Sequence, residues 1–175
     1  MTQNADGNHM DKLAGNIADL VVRKLNYAGQ NSVGGTGPAA CGLDGNGQTS
    51  DLVFVLSAFS PEMDPAYYAI SAAAKAVGLR AARVKDVKGD YRITEQILIM
   101  IRQARLIVAD LTNDRPNVYF ELGFARGIGK KVITILRSGS QPHFDVYDWA
   151  YLEYIDSRPL EKDLLERFRM ELRDG

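Results

Sequence analysis

Short, unbroken apolar runs that alternate with helical segments constrain the fold of this chain more than any other feature. Residues 52–56 read Leu-Val-Phe-Val-Leu and residues 106–109 read Leu-Ile-Val-Ala, with no polar position in either run. A strand with one face in water alternates apolar and polar residues, whereas an unbroken run indicates burial on both faces. Such strands are typical of parallel sheets covered by helices on each side, so the runs predict a doubly wound α/β protein.

The pattern around these runs supplies the other elements of the sheet. Apolar residues at helical spacing predict four helices, at residues 64–78, 93–104, 117–127 and 160–172. Further strands are predicted at residues 80–84, 131–136 and 151–155. Because strands and helices alternate, we expect a mainly parallel sheet of four to five strands with right-handed crossovers, as in flavodoxin-like folds. Gly78 is predicted to end its helix, and Gly123 and Gly127 to pack closely on the sheet or to leave room for a ligand.

The first fifty residues differ in composition from the rest. Apolar residues recur at helical spacing between Asp11 and Tyr27, so residues 1–27 are predicted to be a polar tail and an appended amphipathic helix. Residues 28–50 are rich in Gly, Asn and Ser and predict a flexible linker. The α/β domain is then expected to span residues 51–175. The helix would pack on that domain, pair with its copy in a dimer, or dock a partner.

Composition excludes several classes of function. The 21 basic and 22 acidic residues give a net charge of -1, which argues against a nucleic-acid partner, since phosphate-backbone binders need a basic excess. Cys41 is the single cysteine, so no disulfide forms within one chain, as in a reducing compartment. No apolar run approaches the roughly 20 residues of a membrane span, and the N-terminus lacks a signal-peptide pattern. We therefore expect a soluble, cytoplasmic protein without a membrane partner.

The histidine count limits the chemistry further. His9 and His143 are the two histidines, and His9 lies in the polar tail. A catalytic triad or a Cys-His pair needs a positioned histidine base, and a zinc site needs several His or Cys ligands. We therefore expect no metal site and no cofactor. Any chemistry is left to carboxylates, hydroxyls, arginines or backbone amides.

The candidate site lies where parallel sheets bind ligands, beyond the carboxyl ends of the strands and near the point where strand order reverses. Asp110 directly follows a buried run, and Asn117 is predicted to cap the next helix. Glu121 lies in that helix among apolar residues. Three loops, 57–61, 110–117 and 137–140, supply the candidates for substrate contact: Ser57, Phe59, Ser60, Asp114, Asn117 and Ser138.

Both candidate carboxylates have a second interpretation. Asp110 would cap a turn through its side chain, as aspartates at strand ends often do. Glu121 would be an exposed helix carboxylate on the wet side of its helix. Burial raises the pKa of a carboxyl group and a helix N-terminus lowers it, and the sequence leaves open which effect prevails at Glu121.

Two stretches resemble a known family. Residues 107–112 read Ile-Val-Ala-Asp-Leu-Thr, and residues 116–125 read Pro-Asn-Val-Tyr-Phe-Glu-Leu-Gly-Phe-Ala. Together they resemble the nucleoside 2-deoxyribosyltransferase-like superfamily, and residues 54–59 resemble its first strand and loop. The match covers roughly residues 52–136. The wider fold also resembles TIR-like domains that cleave NAD and carry a lone glutamate in a similar site.

The resemblance implies N-glycosidic chemistry on a small-molecule nucleotide or nucleoside. Glu121 would attack the anomeric carbon of the sugar, Asp110 would hold sugar hydroxyls or the base, and Ser57 and Ser60 would lie near a phosphate or sugar. No metal or cofactor is implied. The resemblance and the extra helices also imply a homo-oligomer.

One departure from the family pattern affects the expected reaction. Characterised transferases of this superfamily carry an aspartate in the helix before the third strand, where this chain has Ile97, with Glu95 and Gln96 alongside. Hydrolysis of a nucleotide or of NAD is therefore favoured over transfer between bases. The alternatives are a nucleotide-sensing module without catalysis and a TIR-like signalling domain that cleaves NAD when assembled.

Overall fold

The structure is a computed structural model that describes residues 50–86, 93–143, 146 and 149–173. All of them belong to one compact unit, Ala40–Gly175. The helix predicted within residues 1–27 and nearly all of the linker predicted at 28–50 lie outside the described residues. No helix in the described ranges has the length and apolar character needed to cross a membrane.

The described residues form a parallel sheet of five strands with helices on both faces, which confirms the predicted fold class. The strands are β1 (Leu52–Leu56), β2 (Arg80–Ala82), β3 (Leu106–Asp110), β4 (Val132–Arg137) and β5 (Leu152–Tyr154). Their order in the sheet is β2-β1-β3-β4-β5, and every neighbouring pair is parallel. This is the flavodoxin-like order of doubly wound sheets, in which the strand order reverses between β1 and β3.

In the described part of the chain, four α-helices cover this sheet: α1 (Asp64–Ala76), α2 (Ile93–Gln103), α3 (Pro116–Gly127) and α4 (Ser157–Arg173). Short 3-10 helices lie at Pro61–Met63 and Val84–Asp86. Successive residues of a strand point to opposite faces, so Val53 and Val55 pack with α1 and α4, whereas Phe54 and Leu56 pack with α2 and α3. Both faces of β1 and β3 are buried, as their unbroken apolar runs predict.

Several boundaries differ from the sequence prediction. Helix α3 begins at Pro116, one residue early, and its N-cap is Arg115 in an extended conformation. The prediction that Asn117 is the cap is therefore wrong, because proline has no N–H to lose and favours the first helical position. Strand β2 ends at Ala82, since Arg83 turns inward to an ion pair with Asp64, with 2.6 Å between Arg83 Nη1 and Asp64 Oδ1. Gly78 follows α1 with a φ of +75°, which confirms it as the helix stop.

The expected close packing of Gly123 and Gly127 is wrong. Both glycines are exposed on α3, and a Cβ atom added at either position would meet nothing within 4 Å. The face of α3 that packs on the sheet is formed instead by Val118, Leu122 and Ala125.

Candidate active site

A cavity of about 510 Å³ lies where the strand order reverses. The connections that leave β1 and β3 run to opposite faces of the sheet, which opens a crevice between them. Its volume is in the range of small-molecule sites. The cavity is lined by β1, the loop after it, the start of α2 and the start of α3, through Phe54, Val55, Leu56, Ser57, Ala58, Phe59, Ser60, Val84, Ile93, Thr94, Ile97, Leu98, Arg115, Pro116, Asn117, Val118, Phe120 and Glu121.

Glu121 is a half-buried carboxylate on the wall of this cavity. Within the described residues, its carboxylate has no hydrogen bond and no ion pair, and burial raises its pKa to about 7. The helix dipole does not offset this burial, because Glu121 lies in the second turn of α3 and the dipole effect fades within the first turn. The alternative of an exposed surface carboxylate is therefore wrong, whereas a catalytic role for Glu121 stays a prediction.

The loop after β1 contributes three of the predicted contact residues to the cavity. Ser57 Oγ is buried and has no hydrogen-bond partner in the described part of the chain. The ring of Phe59 is unusually open for an aromatic side chain, with the residue 58% exposed. Ser60 Oγ accepts a hydrogen bond of 3.2 Å from Asn113 Nδ2. Among the described residues, this side of the cavity thus carries a hydroxyl without a hydrogen-bond partner and an exposed aromatic ring.

Asn113 joins the two loops that border the cavity, a role the sequence interpretation missed. Its Nδ2 donates to Ser60 Oγ and to Glu62 Oε1, both at 3.2 Å. Because Ser60 and Glu62 follow β1 and Asn113 follows β3, these bonds fix the relative position of the two loops. Their partners lie more than fifty residues away along the chain, so local sequence gave no signal of this contact.

Asp110 lies beneath the loops instead of in the cavity. It is 2% exposed, and its Oδ1 accepts hydrogen bonds from Thr112 N at 3.0 Å and from Thr112 Oγ1 at 2.5 Å. Its Oδ2 accepts a bond of 3.0 Å from the Tyr154 hydroxyl. Burial raises the pKa of Asp110, and these hydrogen bonds act in the opposite direction. The turn-capping interpretation is confirmed, and direct contact with a substrate stays a prediction.

The remaining predicted contact residues divide between the cavity and the surface. Asn117 lines the cavity, one helical turn before Glu121. Asp114 and Ser138 are exposed and are not among the residues that line it. The backbone N–H of Ser138 donates to Tyr154 O at 2.7 Å, which ties the loop after β4 to β5. Substrate contact by Asp114 and Ser138 therefore stays a prediction.

Two further cavity residues bear on the chemistry. Arg115 lines the cavity just before α3, although it was not a predicted site residue. The sequence feature that could have located it is Pro116, which fixes the start of the helix. Ile97 lines the cavity in the place where the family resemblance expects an aspartate. Glu95 is exposed and is not among the lining residues. Among the residues the structure describes, no three His, Cys, Asp or Glu side chains are grouped to hold a metal ion.

Comparison with known proteins concerns the fold. No protein-family model matches the chain, and no curated protein matches it. Among solved structures, it is similar to the TIR domain of the Toll-related receptor TRR-2 from Hydra magnipapillata, with a TM-score of 0.56 and 17% identity over 70% of this chain and 98% of that one. The fold is TIR-like.

A second similar solved structure is the CMP N-glycosidase BcmB from Clostridium botulinum. Its TM-score is 0.48, with 18% identity over 68% of this chain and 98% of that chain. These similarities concern the fold and do not identify a superfamily. The resemblance of the sequence to the nucleoside 2-deoxyribosyltransferase-like superfamily therefore stays a prediction.

Proposed function

We propose that this chain cleaves the N-glycosidic bond of a nucleotide-like substrate, such as a nucleoside monophosphate or NAD, through Glu121. The observation that carries the proposal is the setting of Glu121: a half-buried carboxylate without a polar partner among the described residues, on the wall of a cavity of about 510 Å³. A buried carboxylate that serves folding is normally paired, because burying an unpaired charge is costly. An unpaired carboxyl group with a perturbed pKa in a cleft is typical of catalytic sites.

In the proposed reaction, a carboxylate oxygen of Glu121 attacks C1′ of the bound sugar while the C1′–N bond breaks. The bonding electron pair leaves with the base: a purine or pyrimidine takes up a proton from solvent, whereas the nicotinamide of NAD leaves as a neutral molecule and takes up none. Water then attacks C1′ of the glycosyl ester, restoring the Glu121 carboxylate and releasing the sugar and a proton. One water is consumed, and one free base and one free sugar are formed. This is the double displacement of retaining glycosidases, with an oxocarbenium-like transition state.

The surroundings of Glu121 suit this role. Leu122 beside it is buried and Phe120 is partly buried, and burial of the carboxylate means that it has less hydration to lose in the reaction than an exposed carboxylate has. Its pKa of about 7 leaves a substantial ionised fraction at neutral pH. The positive charge that develops on the sugar in the transition state would then be stabilised by a carboxylate in a medium of low dielectric constant.

Hydrolysis is the proposed outcome instead of transfer to a second base. Ile97 occupies the wall where the resemblance expects a proton-handling aspartate, and an isoleucine has no proton to exchange with an incoming base. Attack by water on the glycosyl ester requires no proton exchange with an incoming base.

The test is a panel of NAD, nucleoside 5′-monophosphates and deoxynucleosides incubated with the purified full chain. The expected result is release of free base and free sugar product in equal amounts from one class of substrate, read by chromatography. Binding of a panel member without any release would contradict the proposal and favour the nucleotide-sensing module. Release that grows more than proportionally with protein concentration would favour the assembled, TIR-like signalling domain.

A further inference from the structure

Arg115 and Glu121 are the two charged residues among the described residues that line the cavity. The side chain of Arg115 makes no hydrogen bond and no ion pair within the described part of the chain. The charge of Arg115 acts on Glu62, whose pKa is lowered first by a backbone hydrogen bond, then by Ser60 and Asn113, and least by Arg115. Glu62 is already held by Asn113. Among the described residues, the guanidinium group of Arg115 therefore has no bonded anion at the cavity.

The backbone at Arg115 is held in place from both sides. Residues before a proline favour extended conformations, and Arg115, which precedes Pro116, has φ and ψ of -97° and 121°. Its carbonyl oxygen accepts hydrogen bonds from Val118 N at 2.9 Å and from Tyr119 N at 3.4 Å. The point from which this side chain leaves the backbone is thus rigid with respect to α3, which also carries Glu121.

The spacing between the two charges limits what can bind between them. A helix rises about 1.5 Å per residue, so the backbone positions of Arg115, the N-cap, and Glu121 lie about 9 Å apart along the axis of α3. A pentose with a phosphate on C5 carries its anionic group and its C1 at opposite ends of the sugar ring. Such a molecule can place C1 at Glu121 while its phosphate lies within reach of the long Arg115 side chain. A free nucleoside has no group that would use the guanidinium charge.

We propose that Arg115 recognises the phosphate group of the substrate and is the residue that selects phosphorylated over free nucleosides at this site. The inference rests on the proposed function for the position of C1, and it adds the residue that recognises the phosphate. Arginine suits the task because its planar guanidinium group donates two parallel hydrogen bonds to phosphate oxygens. Ser57 lines the same cavity, and among the described residues its buried hydroxyl has no hydrogen-bond partner, so it is the second donor in this proposal.

The experiment compares binding of matched pairs by calorimetry: ribose 5-phosphate with ribose, and AMP and CMP with adenosine and cytidine. The full chain is measured as wild type, Arg115→Ala, Arg115→Lys and Arg169→Ala, the last being a control at an exposed position of α4. The wild type and the control should prefer the phosphorylated member of each pair. Arg115→Ala should weaken its binding about ten- to a hundredfold, as expected for hydrogen bonds to a charged group. The unphosphorylated member should be unaffected, and Arg115→Lys should restore part of the preference.

Two results would overturn this inference. One is a wild-type chain that shows no preference for the phosphorylated member of any pair. The other is an Arg115→Ala variant that loses affinity equally for both members, or for neither. The same measurements on Glu121→Gln separate this inference from the proposed function, because that variant should keep the phosphate preference. If the phosphate preference depends on Arg115 but the chain releases no base, the result would support this inference and contradict the proposed function.

Discussion

At the scale of single residues, the raised pKa of Glu121 results from burial without a bonded partner among the described residues. Burial is the one resolved cause of its raised pKa, about 7 against an ordinary value of 4.5, and no cation among the described residues opposes it. Sequence identified the residue because it is an acid in an apolar helix. It did not settle the direction of the pKa shift, because the start of α3, and hence the distance from the helix N-terminus, depended on Pro116.

This raised pKa predicts how activity depends on pH. A glutamate side chain is a nucleophile only when it is ionised. Because the pKa of Glu121 in the folded chain is about 7, the side chain is mostly protonated, and therefore inactive, at acidic pH. The kcat/KM for base release should therefore rise with pH through an apparent pKa of about 7. The carboxyl carbon of Glu121, followed by NMR in the ligand-free chain, should titrate with the same midpoint. A midpoint near the ordinary value for glutamate would contradict the role of burial.

Tyr154 has a structural role through the second candidate carboxylate. It is 4% exposed, and its hydroxyl donates to Asp110 Oδ2 while lying 3.2 Å from Thr112 Oγ1. Tyr154→Phe removes a donor from a buried carboxylate and should lower the free energy of unfolding by about 1–3 kcal/mol, measured by urea denaturation. Tyr68→Phe is a matched control, because Tyr68 is 64% exposed. Equal stability of the two variants would contradict this structural role for Tyr154.

At the scale of elements, the sequence located each described strand and α-helix, and its errors in placing them fall at their ends, whereas it missed the two short 3-10 helices. Helices and strands each bury side chains at a characteristic spacing, and this spacing appears in the sequence as the periodicity of apolar residues. The end of β2 depends on a distant partner, Asp64, for Arg83. The link between the two cavity loops likewise depends on Asn113 meeting Ser60. Contacts of this kind leave no local pattern, so part of the candidate site could not be predicted.

Helix α3 carries a further prediction through its exposed glycine. Gly123 lies inside the helix with a backbone conformation open to any residue, and a Cβ atom there would meet nothing within 4 Å. Gly123→Ala should therefore raise the free energy of unfolding by about 0.5–1 kcal/mol, because alanine loses less backbone entropy in a helix. The result is read from urea denaturation. A loss of stability would mean that this face of α3 is not open, and a loss of base release at unchanged stability would mean that the glycine leaves room for a ligand.

At the scale of the whole molecule, strand order creates the site. With the order β2-β1-β3-β4-β5, β1 and β3 lie side by side while their connections diverge, and the cavity occupies the gap. The alternation of strands and helices was sufficient to predict a site at this edge of the sheet. It was not sufficient to predict that Asp110 would be buried under the loops and that Arg115 would take a place in the cavity. Those outcomes depend on how the loops pack in three dimensions.

The most direct test of the central claim is the rate of base release by Glu121→Gln relative to the wild-type chain, on whichever panel substrate is cleaved. Glutamine keeps the size of the side chain and removes the nucleophilic charge. Glu166→Gln on α4, at an exposed position, is the matched control, and thermal unfolding checks that all three chains are folded. The account predicts that Glu121→Gln lowers the rate by roughly a thousandfold or more, about 4 kcal/mol in the barrier, and that the control is unchanged. Folded Glu121→Gln protein that releases base at the wild-type rate would contradict the claim that Glu121 is the nucleophile.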